Sequence, residues 1–104
     1  MPNFILAYHG GKMPQTPEEG AKAMAQWESW FGSIGDSIID PGNPVGMSKT
    51  VSANGVADDG GTNPISGYSI ITAHDIDAAV ALAQGCPMVA DGSGNVEVAE
   101  VHQM

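Results

Sequence analysis

Residues 66–87, SGYSIITAHDIDAAVALAQGCP, decide the fold of this chain, because they predict a strand, a helix and a helix end in direct succession. Gly67–Ala73 is rich in β-branched and aromatic residues, which favours a strand. Asp75 is the best N-cap for the following helix. Gly85 ends that helix, and Pro87 prevents its continuation. The small residues of the helix favour close packing on a sheet.

The N-terminal part of the chain repeats this order of a strand and then a helix. Asn3–Tyr8 is rich in large apolar residues and predicts a strand. The sequence TPEE at 16–19 predicts a helix start, with a threonine N-cap, a proline in the first turn and a capping-box glutamate. This helix should run to Ile34, with Gly35 as the residue that ends it.

The first helix carries an apolar stripe at helical spacing. Met24, Trp27, Phe31 and Ile34 form this stripe, which predicts a buried face. Trp30 lies on the flank of the stripe, so we expect it to reach an interface or a pocket.

Three further strands and a loop complete the predicted elements. Residues 37–40 predict a short strand, and residues 47–53 predict another that ends at an Asn-Gly turn and is a candidate to pair with the first. Residues 56–65 predict a loop. Asn95–His102 predicts the last strand, whose alternation is interrupted between Val98 and Val101, where a bulge would restore it.

The resulting order is β-α-β-β-α-β in a single domain, residues 1–104, which predicts an α+β, ferredoxin-like fold with an antiparallel sheet. Two helices cover only one face of a four-stranded sheet. The first and third strands are apolar on both faces, so the second face needs another layer. We therefore expect a homodimer in which the sheet faces pack together.

Composition excludes several classes of partner. The formal net charge is −9, from 12 acidic residues against three lysines and no arginine. Such a chain has no basic surface for nucleic acid or for an anionic membrane. The single cysteine, Cys86, forbids an internal disulfide and fits a reducing cytoplasm. The N-terminus lacks the charge and length of a signal peptide, no apolar run is long enough to span a membrane, and we expect no cofactor.

Two histidines are candidates for chemistry. In a ferredoxin-like sheet we expect the first and third strands to be parallel neighbours, about 4.8 Å apart, so His9 and His74 should lie at the same sheet edge, with Asp75 beside them. Such a group could bind a metal or transfer a proton. The alternative is that both are ordinary strand-end histidines and that Asp75 serves only as an N-cap, so we predict no metal site. His102 should lie at the opposite edge.

A ligand cleft is the second candidate. Residues with an apolar body and a polar tip occur near strand ends and on the first helix, and they could line a small cleft beside the sheet: Tyr8, His9, Trp30, Tyr68 and His74. The alternative is packing with polar tips in water. Cys86 follows a helix C-terminus, where a thiolate is disfavoured, so we interpret it as a structural thiol.

The ordered set NFILAYHG, TPEE, SGYSII, DIDAAVALA, GCP and NVEVAEV resembles the YCII-related family, which includes the DGPF-domain proteins, over most of the chain. The resemblance implies a dimeric α/β barrel built from ferredoxin-like halves. The DGPF tetrapeptide itself is absent, and Asp59-Gly60-Gly61-Thr62 stands near its position.

The resemblance also implies where an active site would lie. Some members of the family pair a histidine near the start of the first helix with an aspartate before the proline that follows the second helix, for acid/base or elimination chemistry on small aromatic-derived compounds. This chain has no histidine between Pro17 and Ile34, and Cys86 precedes Pro87. Neither member of that pair carries over.

The sequence therefore leaves three hypotheses for function. The first is a small homodimeric YCII-like protein that binds a small organic molecule in a cleft beside the sheet. The second is a small enzyme that uses His9 or His74 as a general acid or base. The third is a non-catalytic regulatory or protein-interaction module that uses its acidic surface.

Overall fold

The computed structural model describes residues 1–104. Its elements in chain order are β1 (Asn3–Gly10), α1 (Pro17–Ser33), β2 (Ile38–Pro44), β3 (Thr50–Ser52), β4 (Gly55–Ala57), β5 (Ile65–Thr72), α2 (Ile76–Ala83), α3 (Pro87–Ala90) and β6 (Gly94–Val101). A 3₁₀ turn at Gly35–Ser37 joins α1 to β2. None of the helices has the length and apolar character needed to cross a lipid bilayer.

One four-stranded sheet has the order β2-β5-β1-β6, and all its neighbouring strands are antiparallel. With the β3–β4 hairpin set aside, the chain has the β-α-β-β-α-β order of a ferredoxin-like fold, so the predicted α+β class is confirmed. The parallel pairing expected for the first and third long strands is wrong. Helix α1 brings β2 back in the direction of β1, and the link from β2 to β5 then reverses the chain.

The register of the last strand is regular. β1 and β6 pair without interruption from Asn3 opposite Val101 to Gly10 opposite Gly94, so the bulge predicted in β6 is absent. Val101 interrupts the alternation because it lies on the other face of the sheet from Val98. The irregularity in this part of the sheet lies instead between Tyr8 and His9, where β1 pairs with β5.

The core lies between the sheet and the helices. Phe4 and Leu6 of β1 and Ile71 of β5 are fully buried on the face that the helices cover. Ala79 and Ala83 of α2 pack in the same cluster, and their short side chains allow the helix to approach the strands closely.

The opposite face of the sheet has no covering layer within one chain, and we call it the open face. Ile5 and Ala7 of β1 lie directly opposite Ile70 and Tyr68 of β5 on this face. All four are only partly buried. The prediction that the central strands are apolar on both faces is thus confirmed, and the apolar residues of the open face have no covering element within the chain.

Helix α1 begins as its sequence predicts and ends differently. The Thr16 hydroxyl accepts a hydrogen bond from the Glu19 backbone N–H at 3.1 Å. The Glu19 carboxylate accepts from the backbone N–H of Gln15 at 2.8 Å, one residue before the position of a standard capping box. Ile34 caps the C-terminus with φ −108°. Gly35 has no left-handed conformation and instead opens the 3₁₀ turn.

The buried face of α1 differs from the predicted stripe. Trp30 is buried, and its indole Nε1 donates to the Leu82 carbonyl at 3.1 Å. Met24 is 66% exposed, and Trp27 and Phe31 are half-buried. The predicted roles of Met24 and Trp30 are therefore wrong. The indole N–H needs an acceptor when it is buried, and the C-terminal turn of α2 supplies one.

Helix α2 has the predicted N-cap, but a further short helix follows it where the sequence predicts only a helix end. The Asp75 carboxylate accepts from the Ala78 backbone N–H at 2.8 Å and so caps the helix. The predicted apolar face is half right, because Ile76 and Val80 stay partly exposed. Pro87 opens α3, where a proline at the first helical position needs no N–H donor.

The region between β2 and β5 departs most from the predictions. β2 continues through the Pro41-Gly42 pair to Pro44, because it is an edge strand that needs no donor on its outer side. The predicted strand at 47–53 shortens to β3, which pairs with β4 across the Asn54-Gly55 turn and not with β2. The turn is confirmed, whereas the loop assigned from residue 56 starts within β4.

Candidate functional site

The five residues expected to line one cleft do not come together. Tyr8 and Trp30 lie on the helix-covered side of the sheet, with ring centroids 6.4 Å apart. Tyr68 lies on the open face, directly opposite Ala7. His74 lies beyond the end of β5 and is exposed.

The predicted meeting of His9 and His74 is wrong, because β1 and β5 are antiparallel. His9 pairs with Ile65 at the start of β5, whereas His74 follows the end of β5, next to the beginning of β1. The two histidines therefore lie at opposite ends of the sheet. His102 follows Val101, which pairs with Asn3, so it lies at the same end as His74. Asp75 lies at that end too, where its carboxylate caps α2.

An aromatic cluster joins α1 to β1. Trp27 meets Tyr8 edge to face, with ring centroids 5.1 Å apart and an interplanar angle of 86°. Trp30 and Phe31 extend the cluster along the helix, with centroids 5.1 Å apart. Such pairs hold their partners in a defined geometry. The cluster therefore fixes the height of α1 above the sheet.

The phenol of Tyr8 belongs to a buried hydrogen-bond chain. The Ser69 hydroxyl donates to the Pro41 carbonyl at 2.7 Å, so the Tyr8 hydroxyl must donate to Ser69, also at 2.7 Å. Burial disfavours the phenolate and raises the pKa of Tyr8 to about 12, with the hydrogen bond to Ser69 opposing the shift. Tyr8 is thus a protonated donor in this structure and not a ready proton acceptor.

Cys86 is also a buried structural group. It lies at the N-cap of α3 rather than simply after a helix C-terminus. Its side chain is inaccessible to solvent, and burial raises the pKa of its thiol, although the backbone N–H groups of Met88 and Val89 oppose the shift. The geometry supports the interpretation of Cys86 as a structural thiol. The reason is that the thiol is buried, and not that it follows a helix C-terminus.

An open cleft of about 410 Å³ lies between α1 and the loop that follows β1. We call it the α1 cleft. Half of its lining residues are apolar, and the set is Lys12, Pro14, Gly20, Ala23, Met24, Trp27, Glu28 and Phe31. Trp27 connects the cleft wall to Tyr8 behind it. A volume of this order suits a small ring-sized molecule.

A second cavity is smaller and less suited to an organic ligand. It measures about 250 Å³ and lies at the C-terminal end of α1. Its lining is mainly the small and polar residues 32–37, together with Leu82. We therefore take the α1 cleft as the candidate ligand site.

His9 has a defined orientation at the end of the open face. Its Nδ1 lies 2.9 Å from the Asn63 carbonyl and 3.2 Å from the Pro64 carbonyl, and both of these oxygens only accept, so Nδ1 carries a proton. Its Nε2 lies 3.1 Å from the Glu97 carboxylate. That contact is a hydrogen bond only when a proton lies between the two groups. Three polar groups therefore fix the orientation of the His9 ring.

No group of three or more His, Cys, Asp or Glu side chains comes together in a geometry that would hold a metal ion. Sequence reasoning missed several residues of the cleft wall, above all Lys12 and Trp27, and missed Glu97 as the partner of His9. Lys12 had no local signal, because its place in the cleft depends on the packing of α1. Glu97 alternates with valines in β6, which is typical of an ordinary solvent-facing strand residue.

The fold and the cleft define a class: a small α+β protein with an antiparallel sheet, helices on one face and an aromatic-walled cleft. One solved structure with a similar fold is 5-chloro-2-hydroxyhydroquinone dehydrochlorinase from Burkholderia phenoliruptrix, in complex with 2,5-dihydroxybenzoquinone. The similarity has a TM-score of 0.60 at 13% identity and covers 98% of this chain and 95% of the other, which establishes a shared fold.

Comparisons of sequence give no further relative. No protein-family model matches the chain, and no curated protein matches it by sequence.

Tyr8 should make the stability of the protein fall at high pH. The folded chain holds the Tyr8 proton up to about pH 12, whereas the unfolded chain releases it near 10. Unfolding therefore releases a proton between these values, and the free energy of unfolding should decrease there by on the order of 2 kcal/mol. Urea unfolding of the wild type and of Tyr8→Phe across this pH range measures the free energy of unfolding. The variant should lack the part of the decrease that comes from Tyr8. Tyr68→Phe is the control and should keep it; equal curves for wild type and Tyr8→Phe would contradict the assignment.

Proposed function

We propose that this protein is a homodimeric, YCII-like protein that binds a small organic molecule with a planar ring in the α1 cleft. The observation that carries the proposal is the wall formed by Trp27 and Phe31 in an open cleft of about 410 Å³. An aromatic wall favours a flat, apolar ligand, because ring faces and edges pack against each other.

Two charged residues in the wall of the cleft would orient a bound ligand. Lys12 contributes a cation from the loop and Glu28 an anion from the helix, and the remaining lining is largely apolar. A few polar groups in an apolar cleft typically fix the orientation of a ligand. We infer a ring that carries hydroxyl or oxo groups, with an acidic oxygen directed to Lys12.

The structural similarity supports a ligand of this kind. The dehydrochlorinase that shares the fold is described in complex with 2,5-dihydroxybenzoquinone, a planar ring with hydroxyl and oxo groups. The resemblance of the ordered sequence elements to the YCII-related family agrees with this fold. A reducing compartment such as the cytoplasm suits the free thiol of Cys86.

The homodimer in the proposal is supported by the open face. Ile5, Ala7, Tyr68 and Ile70 form an apolar surface that no element of the chain covers. A second copy offers the same surface, and a two-fold axis lets each cover the other.

The accessible surface supports the same inference. A folded monomer of 10.7 kDa normally exposes about 5,500 Å². This chain exposes 7115 Å², an excess of about 1,600 Å². If two copies buried that excess, the interface would fall within the roughly 2,000–5,000 Å² of obligate homodimers. The protein is also flat, with extents of 43 × 42 × 20 Å.

A cleft-filling substitution tests the ligand site. We expect 2,5-dihydroxybenzoquinone to give saturable heat in isothermal titration calorimetry, because it matches the inferred ligand in size and shape. Ala23→Phe puts a ring into the α1 cleft and should weaken this binding roughly tenfold or more. The change should appear in the dissociation constant and not in the helix content measured by circular dichroism.

The matched control is Ala25→Phe, the same substitution on an exposed position of the same helix. It should bind the probe as the wild type does. Absence of saturable heat with the wild type, or equal weakening in both variants, would contradict the proposed site.

The orientation of His9 favours a second candidate, an enzyme in which His9 acts as a general acid or base. Two backbone carbonyls fix the proton on Nδ1, and Glu97 faces Nε2 at 3.1 Å. A histidine held in one tautomer beside a carboxylate is suited to proton transfer. His74 lacks such partners and is the weaker of the two candidates.

Turnover measurements test this second candidate. We would assay 5-chloro-2-hydroxyhydroquinone, the substrate named for the dehydrochlorinase of the same fold. If His9 transfers a proton, His9→Gln should lower the rate roughly 100-fold or more. His102→Gln replaces an exposed histidine and should keep the wild-type rate. No turnover by the wild type, or equal rates in both variants, would reject the enzyme for this substrate class.

A further inference from the structure

We propose that the β3–β4 hairpin is an arm that packs against the second copy of the chain. The inference rests on the homodimer proposed above, and it goes further, because it gives the dimer a second contact besides the open face. The arm comprises residues 45–57, which include β3, the Asn54-Gly55 turn and β4.

The arm makes a sheet of its own. β3 and β4 pair only with each other, and all six strand residues are exposed. Val51 lies directly opposite Val56, and these side chains are 78% and 63% exposed. Met47, at the base of the arm, is 99% exposed. Three large apolar side chains thus project from one short segment with nothing covering them.

Such a hairpin is too small to be stable alone. Strands of three residues in an isolated pair are at best marginally stable in water. Two polar contacts hold its base: Lys49 bonds Asp58 at 3.1 Å, and the Thr50 hydroxyl donates to the Asp59 carbonyl at 2.7 Å. Both are exposed, so they contribute little. Covering the valines with a protein surface would supply the missing stabilisation.

Charge favours a second copy as the occupant. The chain has a net charge of −9, and yet residues 41–57 contain no acidic residue. They carry one of the three lysines, Lys49, whose charge is paired with Asp58 at the base of the arm. An arm free of acids can approach the acidic surface of an identical chain without charge repulsion.

The arm leaves the sheet close to the open face, so it can reach a second copy that packs there. It leaves the sheet between β2 and β5, where Pro44 pairs with Gly67, and β5 carries Tyr68 and Ile70 on the open face. The arm therefore extends directly from the end of the face through which two copies would pack. Its exposed surface is part of the excess of about 1,600 Å² that one chain leaves uncovered.

A charged substitution at the arm tests the contact. Val51→Asp should raise the dimer dissociation constant roughly tenfold or more in sedimentation equilibrium, because a carboxylate cannot replace a buried valine at an interface. Ile76→Asp adds the same charge at an exposed position of α2 and should leave the constant unchanged. Thermal unfolding checks that both variants fold.

A photocrosslinker gives an independent readout. With p-benzoylphenylalanine in place of Val51 and a mixture of light and heavy isotopic chains, irradiation should give crosslinked peptides that contain both isotopes. The proposed contact would be contradicted if every crosslinked peptide contained only one isotope, or if no crosslinked peptides formed.

A third variant separates this proposal from the sheet-face dimer. Ile70→Lys should disrupt the open face itself. If Ile70→Lys dissociates the dimer while Val51→Asp and Ile76→Asp behave alike, the dimer stands and the arm is rejected. A wild-type monomer at micromolar concentration would reject both.

Discussion

The structure depends on one constraint: a four-stranded sheet that is apolar on both faces, with helices for only one of them. Phe4 and Leu6 find their partners in α1 and α2, and this half of the core is complete. Ile5 and Ile70 face each other on the other side of the same strands, and no helix covers them. The flat shape follows from that imbalance, and the uncovered face adds to the large accessible surface.

The two faces also divide the chemistry of the protein. The helix-covered side holds Tyr8 in a buried hydrogen-bond chain, and the adjoining aromatic cluster forms the wall of the α1 cleft. The open face carries His9 and Glu97 at one end. A ligand in the cleft and a proton transfer at His9 would therefore use opposite sides of β1. For this reason, the binding and turnover experiments report on different sites.

Local sequence patterns predict where the helices and strands begin and end. They do not predict how distant segments pack against each other. The caps at Thr16 and Asp75 are confirmed, because a side chain and a backbone N–H three residues later decide them. The positions of His9 and His74 depend on the direction of β5, which is set by how the chain between β2 and β5 turns. The rotation of α1 depends on the Leu82 carbonyl, which accepts from Trp30 across 52 residues.

The most direct test of the central claim is the mass in solution, measured by forward X-ray scattering at micromolar concentration. We expect a mass of twice the 10.7 kDa of one chain and a radius of gyration larger than the 14.8 Å of one protomer. A scattering mass of one chain, with a radius close to that of the protomer, would contradict it.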